Sequence, residues 1–131
     1  MKSFELSIIQ DKSMLPKQYR LKNKSAFNAT YRVKNSTQKG GVTLFAGIKK
    51  KETDTPTRVG FVVSKKTHKR AVKRNRLKRL MRESYRLLLK SEELGNSQEY
   101  LSLIFIGSEH ALDKNFDEMQ NIIKCLINKL K

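Results

Sequence analysis

The sequence is short of the residues from which small structural and catalytic sites are often built. It holds one cysteine, two histidines, two prolines and no tryptophan in 131 residues. One cysteine cannot form an intramolecular disulfide, and with two separated histidines it cannot assemble a Cys/His zinc site. No run of about 18 apolar residues occurs, so the sequence contains no membrane span. These shortages exclude a disulfide scaffold, a zinc-finger-like domain and a transmembrane helix.

Acidic residues are also scarce, and they are unevenly distributed. Residues 1–90 contain 25 Lys and Arg but only 5 Asp and Glu, whereas residues 91–131 contain 4 and 7. The formal net charge is +17. Self-repulsion of this size opposes a compact fold, so it indicates a polyanionic partner. The distribution places the binding surface in the first ninety residues.

The densest positive charge lies between residues 65 and 82, where ten of eighteen positions are Lys or Arg and none is acidic. Apolar residues in the second half of this block recur at helical spacing and predict a helix over residues 71–90 with one buried face. A solvated charged face is the alternative, and the absence of interleaved acids disfavours it. We therefore predict a folded surface for phosphate groups, which Lys and Arg bind with release of counterions.

Hydrophobic periodicity predicts a single-domain, two-layer α+β sandwich with elements in the order α-β-β-α-β-α. A short helix is expected around residues 25–33, with Ser25 as its N-cap. The last helix begins at about Asn115. The expected strands are residues 42–48, 57–64 and 100–106. The third strand is nearly all apolar, so we expect it to be central.

The domain organisation follows from these elements. Residues 1–16 lack a clear pattern and are expected to form a flexible N-terminal leader, while residues 17–131 form one RNA-binding domain. The leader has no clean hydrophobic core or small-residue cleavage site typical of a signal peptide. Cytoplasmic localisation is therefore the expectation.

Residues with catalytic chemistry are isolated from one another. His68 lies inside the basic block, where neighbouring positive charge opposes its protonation. His110 fits a solvated loop, and Cys125 lies in a mostly apolar helical segment where a structural thiol is expected. Paired carboxylates, a nucleophile elbow and a phosphate-binding glycine loop are all missing. We predict no catalytic residue and no metal ligand on this polypeptide.

Three aromatic residues form a second candidate site. Phe27 and Tyr31 are four residues apart and so share one face of the predicted first helix. Phe45 lies on the strand face opposite the main apolar set. On an open strand face these rings would stack on unpaired bases. Burial in the core is the alternative, and spacing alone favours it slightly.

Three segments of the chain resemble the protein subunit of bacterial ribonuclease P. They are RLKNKSAFNATYR at residues 20–32, TRVGFVVSKK at 57–66 and AVKRNRLKRLMRESYR at 71–86. The last contains Arg74-Asn75-Arg76, the RNR motif of that family. The resemblance implies a ribosomal-protein-S5-like sandwich with a left-handed βαβ crossover, an exception to the right-handed rule.

The resemblance also implies a non-catalytic subunit of an endoribonuclease. The RNA subunit and its Mg²⁺ ions would hydrolyse a phosphodiester to remove the 5′ leader of precursor tRNA, with no metal held by protein side chains alone. The partners would be ribonuclease P RNA and precursor tRNA, with no membrane and no required protein partner. The RNA subunit would contact Lys65, Lys66, Lys73, Arg74, Asn75, Arg76, Lys78, Arg79 and Arg82. The single-stranded leader would occupy a cleft with Phe27, Tyr31, Phe45 and Lys65.

The chain departs from the family pattern at two places. The family usually has SKKxGxAVxRNR, whereas this chain has SKKTHKRAVKRNR, which is one residue longer and lacks the glycine. Roles for residues 67–70 are therefore not carried over. Val62 stands at a cleft position that is often small and polar, which would weaken one contact to the leader.

Two other functions remain compatible with a basic chain. A ribosomal or other general RNA-binding protein with no nuclease role is the main alternative, although it does not explain why RVGFVVSKK and the RNR segment occur together. A basic amphipathic helix on a membrane would have to stand free of the fold. The apolar strands around the helix disfavour that alternative.

Overall fold

The computed structural model of the chain describes residues 17–51 and 55–130, apart from the side chain of Asn96. Within these ranges three α-helices pack on one four-stranded sheet. The helices are α1 (Lys24–Val33), α2 (Ala71–Lys90) and α3 (Phe116–Asn128). The strands are β1 (Asn35–Lys39), β2 (Val42–Ala46), β3 (Arg58–Val62) and β4 (Ser102–Gly107). The predicted leader, residues 1–16, lies outside the described residues.

The sheet has the strand order β1-β2-β4-β3. β2 is antiparallel to both β1 and β4, whereas β3 and β4 are parallel. Helix α2 connects the two parallel strands, so β3, α2 and β4 form a βαβ unit. The predicted central position of the third apolar strand is confirmed, because β4 is paired on both sides. The left-handed crossover stays a prediction.

The predicted element order was wrong in one respect, because it omitted β1. The sequence of this strand, NSTQK, has no apolar alternation, and the strand lies at the edge of the sheet where it pairs only with β2. A two-residue loop of Gly40 and Gly41, with φ angles of 59° and 86°, joins it to β2. Only glycine adopts such angles readily, and paired positive φ angles are typical of tight hairpins. The Gly-Gly pair was therefore the available signal for this strand.

Helices α2 and α3 cover one face of the sheet and form the core with it. The predicted α2 has the observed bounds, and Leu77 and Met81 on its inner face are fully buried. Tyr85, which was not predicted to belong to the buried face of this helix, is also fully buried. Its hydroxyl accepts a hydrogen bond from Gln98 Nε2 at 3.0 Å, which compensates for removing the polar end of the ring from water. Burial raises the pKa of Tyr85, so its hydroxyl stays neutral.

Helix α1 packs on the other face of the sheet and covers only part of it. Its buried Thr30 hydroxyl shares a hydrogen bond with Ser102 of β4 and donates to the carbonyl of Ala26 at 2.8 Å. The N-cap is Asn23, whose side chain accepts from the backbone N–H of Ser25 at 3.1 Å, so the prediction of Ser25 as the cap was wrong. The part of this face beyond α1 is only half-buried.

Helix α3 begins with a complete capping box. The side chain of Asn115 accepts from the backbone N–H of Glu118 at 2.8 Å, and the Glu118 carboxylate accepts from the N–H of Asn115 at 3.0 Å. Asp117 and Glu118 also place negative charge in the first turn, where it stabilises the helix dipole. This start confirms the predicted helix boundary at Asn115.

Candidate nucleic-acid interface

An aromatic groove, by which we mean the surface formed by Phe27, Tyr31 and Phe45, lies on the sheet face that α1 leaves partly open. Tyr31 of α1 contacts Phe45 of β2 edge to face, with ring centroids 5.0 Å apart and an interplanar angle of 86°. Both rings are half-buried and outside the buried core. Phe45 alternates with the buried Leu44 and Ala46, as its predicted outward direction requires. Burial raises the pKa of the Tyr31 hydroxyl, which keeps the phenol neutral beside the positively charged surface.

The third aromatic residue, Phe27, lies against the backbone of β3. A Cβ atom added to Gly60 would be only 2.5 Å from Cζ of Phe27. Glycine at position 60 therefore allows the ring to approach the strand closely. Phe27 is half-buried, like the other two rings. The interpretation of all three as core aromatics does not fit this geometry.

A cavity of about 330 Å³ separates Phe27 from the positive residues of α2. This volume lies within the range of small-ligand sites. The cavity is lined by Arg20, Leu21, Lys22, Phe27, Val59, Gly60, Phe61, Lys78 and Arg82. It therefore combines a half-buried aromatic ring with positively charged side chains from two parts of the chain, Arg20 and Lys22 before α1 and Lys78 and Arg82 in α2.

Cationic residues surround the start of α2. The exposed members of this basic row are Lys65, Lys66, Lys69, Arg70, Lys73, Arg76 and Arg79, and the exposed Asn75 lies among them. The N-cap residue is Arg70, which makes no side-chain capping hydrogen bond, and the first turn contains no acid. Backbone N–H groups in a first turn have no carbonyl partner inside the helix. The row and these N–H groups together favour an anionic ligand.

Two arginines of the RNR motif are anchored to the protein's own backbone. Arg74 Nη1 donates to the carbonyls of His68 and Lys69 at 2.7 and 3.0 Å. Arg76 donates from Nη1 to the carbonyl of Leu112 at 3.2 Å and from Nη2 to that of Lys114 at 3.3 Å. Both side chains are thus oriented by carbonyl groups of the protein itself.

The predicted RNA-binding residues thus divide into groups. Lys78 and Arg82 are half-buried and line the cavity with Phe27, apart from the basic row. Lys65 belongs to the row and not to the cavity lining. Sequence reasoning missed Arg20 and Lys22 as cavity residues, although both directly flank the buried Leu21 just before the first helix.

The residues examined for catalysis occupy separate positions. His68 Nδ1 accepts from the backbone N–H of Arg70 at 3.0 Å, which makes it part of the loop before α2. His110 is exposed in a short 3₁₀ turn, and Cys125 is half-buried in α3. Across residues 17–51 and 55–130, no three His, Cys, Asp or Glu side chains come together as a metal site would require. None of the helices in those ranges is both long and apolar enough to cross a bilayer.

Fold and surface together define a class: a small α+β protein with a basic row for a polyanion and an aromatic groove beside it. A family profile described as Ribonuclease P matches residues 15–131. The ribonuclease P protein component of Clostridium kluyveri is 34% identical over 111 residues, which are 85% of this chain and 93% of that protein. The corresponding protein of Symbiobacterium thermophilum is 34% identical over 115 residues, which are 88% and 93%.

Solved structures agree with these sequence relatives. The RNase P protein of Staphylococcus aureus superposes with a TM-score of 0.68 at 27% identity, covering 86% of this chain and 94% of that one. The RNase P protein of Thermotoga maritima has the same TM-score at 18% identity, which shows a shared fold. The chain belongs to the ribonuclease P protein family.

Proposed function

We propose that this protein is the protein subunit of ribonuclease P and acts in the removal of the 5′ leader from precursor tRNA. The observation that carries the proposal is that the helix of the RNR motif contributes Lys78 and Arg82 to the same cavity as the aromatic Phe27. A structured RNA and a single-stranded RNA make different demands on a protein surface. This domain has a surface suited to each.

The basic row would bind the RNA subunit. Folded RNA is a dense array of phosphates, and each Lys or Arg that contacts one releases a counterion. The contact set is the one expected from the family resemblance: Lys65, Lys66, Lys73, Arg74, Asn75, Arg76, Lys78, Arg79 and Arg82. Asn75 can both donate and accept, so it can hydrogen bond to bases or riboses where a cation cannot.

The aromatic groove would bind the single-stranded leader. Unpaired bases are free to leave their stack and lie on protein rings, and such stacking is worth roughly 1–3 kcal/mol per base. Phe27, Tyr31 and Phe45 are the ring platforms, and Lys65 lies at the end of β3 where it can contact the leader backbone. Lys78 and Arg82 line the cavity beside Phe27 and are suited to a neighbouring phosphate.

The chemical step would belong to the RNA. Mg²⁺ prefers carboxylate, phosphate and water oxygens, and the described side chains do not bring three candidate ligands together. The Mg²⁺ ions that activate water and stabilise the leaving oxygen would be bound by the RNA subunit and the substrate, as the family resemblance implies. The protein's part is to hold precursor tRNA and to neutralise phosphate charge that the RNA alone must neutralise with Mg²⁺.

Reconstitution tests this function directly. We expect the purified protein to restore cleavage of precursor tRNA by a bacterial ribonuclease P RNA at low Mg²⁺ concentration, yielding the mature 5′ end. A polylysine of matched charge is the control, because it supplies positive charge without the folded surface that would bind the leader. Cleavage no better than with RNA alone, over a series of salt concentrations, would show that the proposal is wrong.

A second experiment separates this function from general RNA binding. Phe27→Ala and Tyr31→Ala should weaken the binding of precursor tRNA to the holoenzyme about tenfold, because each removes a stacking platform. Binding of mature tRNA, which lacks the leader, should change little. Phe116→Ala is the matched control, since this half-buried ring lies at the start of α3. Equal losses for precursor and mature tRNA would favour a general RNA-binding protein.

A further inference from the structure

The side chain of Arg74 is hydrogen bonded to the loop at residues 67–70. This loop is one residue longer than in the family pattern. Hydrogen bonds within this loop or at its ends include Thr67 N–H to the carbonyl of Ser64 at 3.0 Å and Arg70 N–H to His68 Nδ1 at 3.0 Å. From the body of the helix, the Arg74 backbone N–H donates to the carbonyl of Arg70 at 3.3 Å. The Arg74 side chain reaches further into the loop, to the carbonyls of His68 and Lys69. Arg74 therefore links the loop to α2.

Arg76 makes an equivalent link on the other side. Its acceptors, the carbonyls of Leu112 and Lys114, are 36 and 38 residues away in sequence and belong to the connection between β4 and α3. The two bonds use both terminal nitrogens of one guanidinium. A planar fork of this kind is particular to arginine, because a lysine ammonium is a point charge on a flexible stem.

These bonds have a cost for direct phosphate binding. A guanidinium that donates to two carbonyls has fewer N–H groups left, and its orientation is already set by the protein. Carbonyl acceptors do not neutralise it, so its charge still contributes to the field of the surface. Lys73 and Arg79 differ, because neither side chain forms a hydrogen bond or ion pair with another residue in the described part of the chain.

We propose that Arg74 and Arg76 act in RNA binding as positioning residues. They hold the loops at residues 67–70 and 112–114 against α2, so that the exposed cations around them meet the phosphates at a fixed spacing. The inference rests on the proposed function and deepens it, because it divides the RNR helix into phosphate ligands and residues that order them. Lys73 and Arg79 are the direct ligands in this division.

The salt dependence of binding separates the two roles. A lost phosphate contact lowers the slope of log K against log salt by about 0.9 for duplex and about 0.7 for single-stranded nucleic acid. Replacing a positioning arginine with lysine keeps the charge but removes the guanidinium, which donates through Nη1 in Arg74 and through both Nη1 and Nη2 in Arg76. We expect Arg74→Lys and Arg76→Lys to weaken binding of ribonuclease P RNA about tenfold, nearly as much as the alanine variants, with the wild-type slope.

Arg79 provides the matched control on the same helix. Arg79→Ala should lower the slope by close to one contact, and Arg79→Lys should restore both slope and affinity. If Arg74→Lys and Arg76→Lys behave like Arg79→Lys, the two arginines are direct phosphate ligands and the positioning role is wrong. Wild-type binding by all four variants at these two positions would overturn it equally.

Hydrogen exchange in the free protein tests the same idea without RNA. Arg74→Lys should speed exchange of the Thr67 and Arg70 amides at least threefold and leave residues 112–116 unchanged. Arg76→Lys should speed exchange of the Lys114 amide, which bonds to the Ala111 carbonyl, and leave residues 67–70 unchanged. Unaltered exchange in both variants would overturn the positioning role.

The two failures are distinguishable. If the wild-type protein does not bind or activate ribonuclease P RNA, the proposed function is wrong and the division of the helix falls with it. If the wild type binds, and the exchange and salt data give the ligand pattern for Arg74 and Arg76, only the positioning role is wrong. Thermal unfolding of each variant, monitored by circular dichroism, checks that the comparison is made between folded proteins.

Discussion

Helices α2 and α3 both lie on the same face of the sheet, yet they begin in opposite ways. α3 satisfies its own first turn with the Asn115–Glu118 capping box and adds Asp117. α2 begins at Arg70, without a side-chain cap and without an acid in its first turn. The capping box pairs backbone N–H groups in the first turn of α3 and so stabilises that helix. The corresponding N–H groups of α2 have no side-chain cap and are surrounded by positive charge.

The difference shows where this protein gives up stability for binding. A missing N-cap costs about 1 kcal/mol, and the buried seam of α2 through Leu77, Met81 and Tyr85 is large enough to offset it. The negative charge that α3 carries in its own sequence would be supplied to α2 by RNA phosphates. The start of α3 therefore contributes to stability, whereas the start of α2 is suited to binding RNA.

The largest expected effect comes from giving α2 the start that α3 has. Arg70→Asp would introduce an N-cap and a negative charge, so the free energy of unfolding should rise by about 1 kcal/mol. The same change removes one cation and adds an anion to the basic row, so RNA affinity should fall on the order of tenfold to a hundredfold at low salt. Urea unfolding and filter binding measure the two quantities.

Lys129→Asp is the control for this variant, because it reverses one exposed charge near the end of α3, away from the row. Its effect on RNA affinity should be much smaller. If the Arg70→Asp protein is more stable than the wild type but binds RNA equally well, the start of α2 does not give up stability for RNA binding.

A smaller effect is expected from removing one cation of the row. Lys73→Ala should weaken RNA binding several-fold near 0.1 M salt and reduce the salt slope by about 0.9 for a duplex contact. Lys124→Ala removes an exposed lysine from α3 and should leave the slope unchanged. Identical salt slopes for Lys73→Ala and Lys124→Ala would show that the positive charge of α2 contributes no more to RNA binding than that of α3.

Removing the cap of α3 should affect stability alone. Asn115→Ala breaks the capping box and should lower the free energy of unfolding by about 1 kcal/mol, within a range of about 0.5–2. RNA affinity should stay at its wild-type value, because Asn115 is outside the basic row. Asn121→Ala, at an exposed position inside the same helix, is the matched control and should change stability by less than about 0.5 kcal/mol.

The smallest effect is a pH dependence on the α3 side of the molecule. The Lys124 ammonium, 2.8 Å from Glu93, is the main cause that holds the pKa of this carboxyl below its usual range, and the Ser91 hydroxyl adds to it. A depressed pKa contributes stability above the unfolded-state pKa, and that contribution is lost as pH falls through the folded-state value. Urea midpoints should therefore drop slightly as the pH is lowered below about 4.5.

Lys124→Ala should make this drop smaller, because it removes the main partner of Glu93. Arg79→Ala, which removes a cation from α2, should leave it unchanged. Because the carboxyl is fully exposed, solvent and salt should screen the effect, and 0.5 M salt should nearly abolish it. A drop of equal size in the Lys124→Ala protein would contradict the assignment.

The two helices also show which parts of the fold were predictable from sequence. The bounds of α2 were predicted because an apolar seam at helical spacing runs through the whole segment, and α3 was predicted from its stripe and its Asn115 start. β1 was not, because an edge strand of polar residues buries too little to leave a periodic pattern. Tyr85 was missed because an aromatic hydroxyl looks amphipathic until its partner, Gln98, is in place.

The candidate site was predictable to a similar depth. Its residue types and its two surfaces follow from sequence and family resemblance, and Phe45 has the expected outward direction. The use of Arg76 was not predictable, because its acceptors come from a connection 36 and 38 residues away. A long side chain can reach several possible acceptors, and only the tertiary structure determines which of them are close to it. The placement of Lys78 and Arg82 in the cavity lining has the same cause.

The position of β4 in the sheet has a consequence for how the chain folds. β4 pairs with β2 across 65 residues, as between Val42 and Gly107, and with β3 across 44 residues, as between Arg58 and Ser102. Contacts of such sequence separation must close large loops first, which slows folding. During synthesis from the N-terminus, α2 leaves the ribosome before the strand that completes its docking surface. For that interval a strongly cationic helix with an uncovered apolar seam would be close to ribosomal RNA, and its seam is covered only once β4 and then α3, which also packs on α2, have been synthesised.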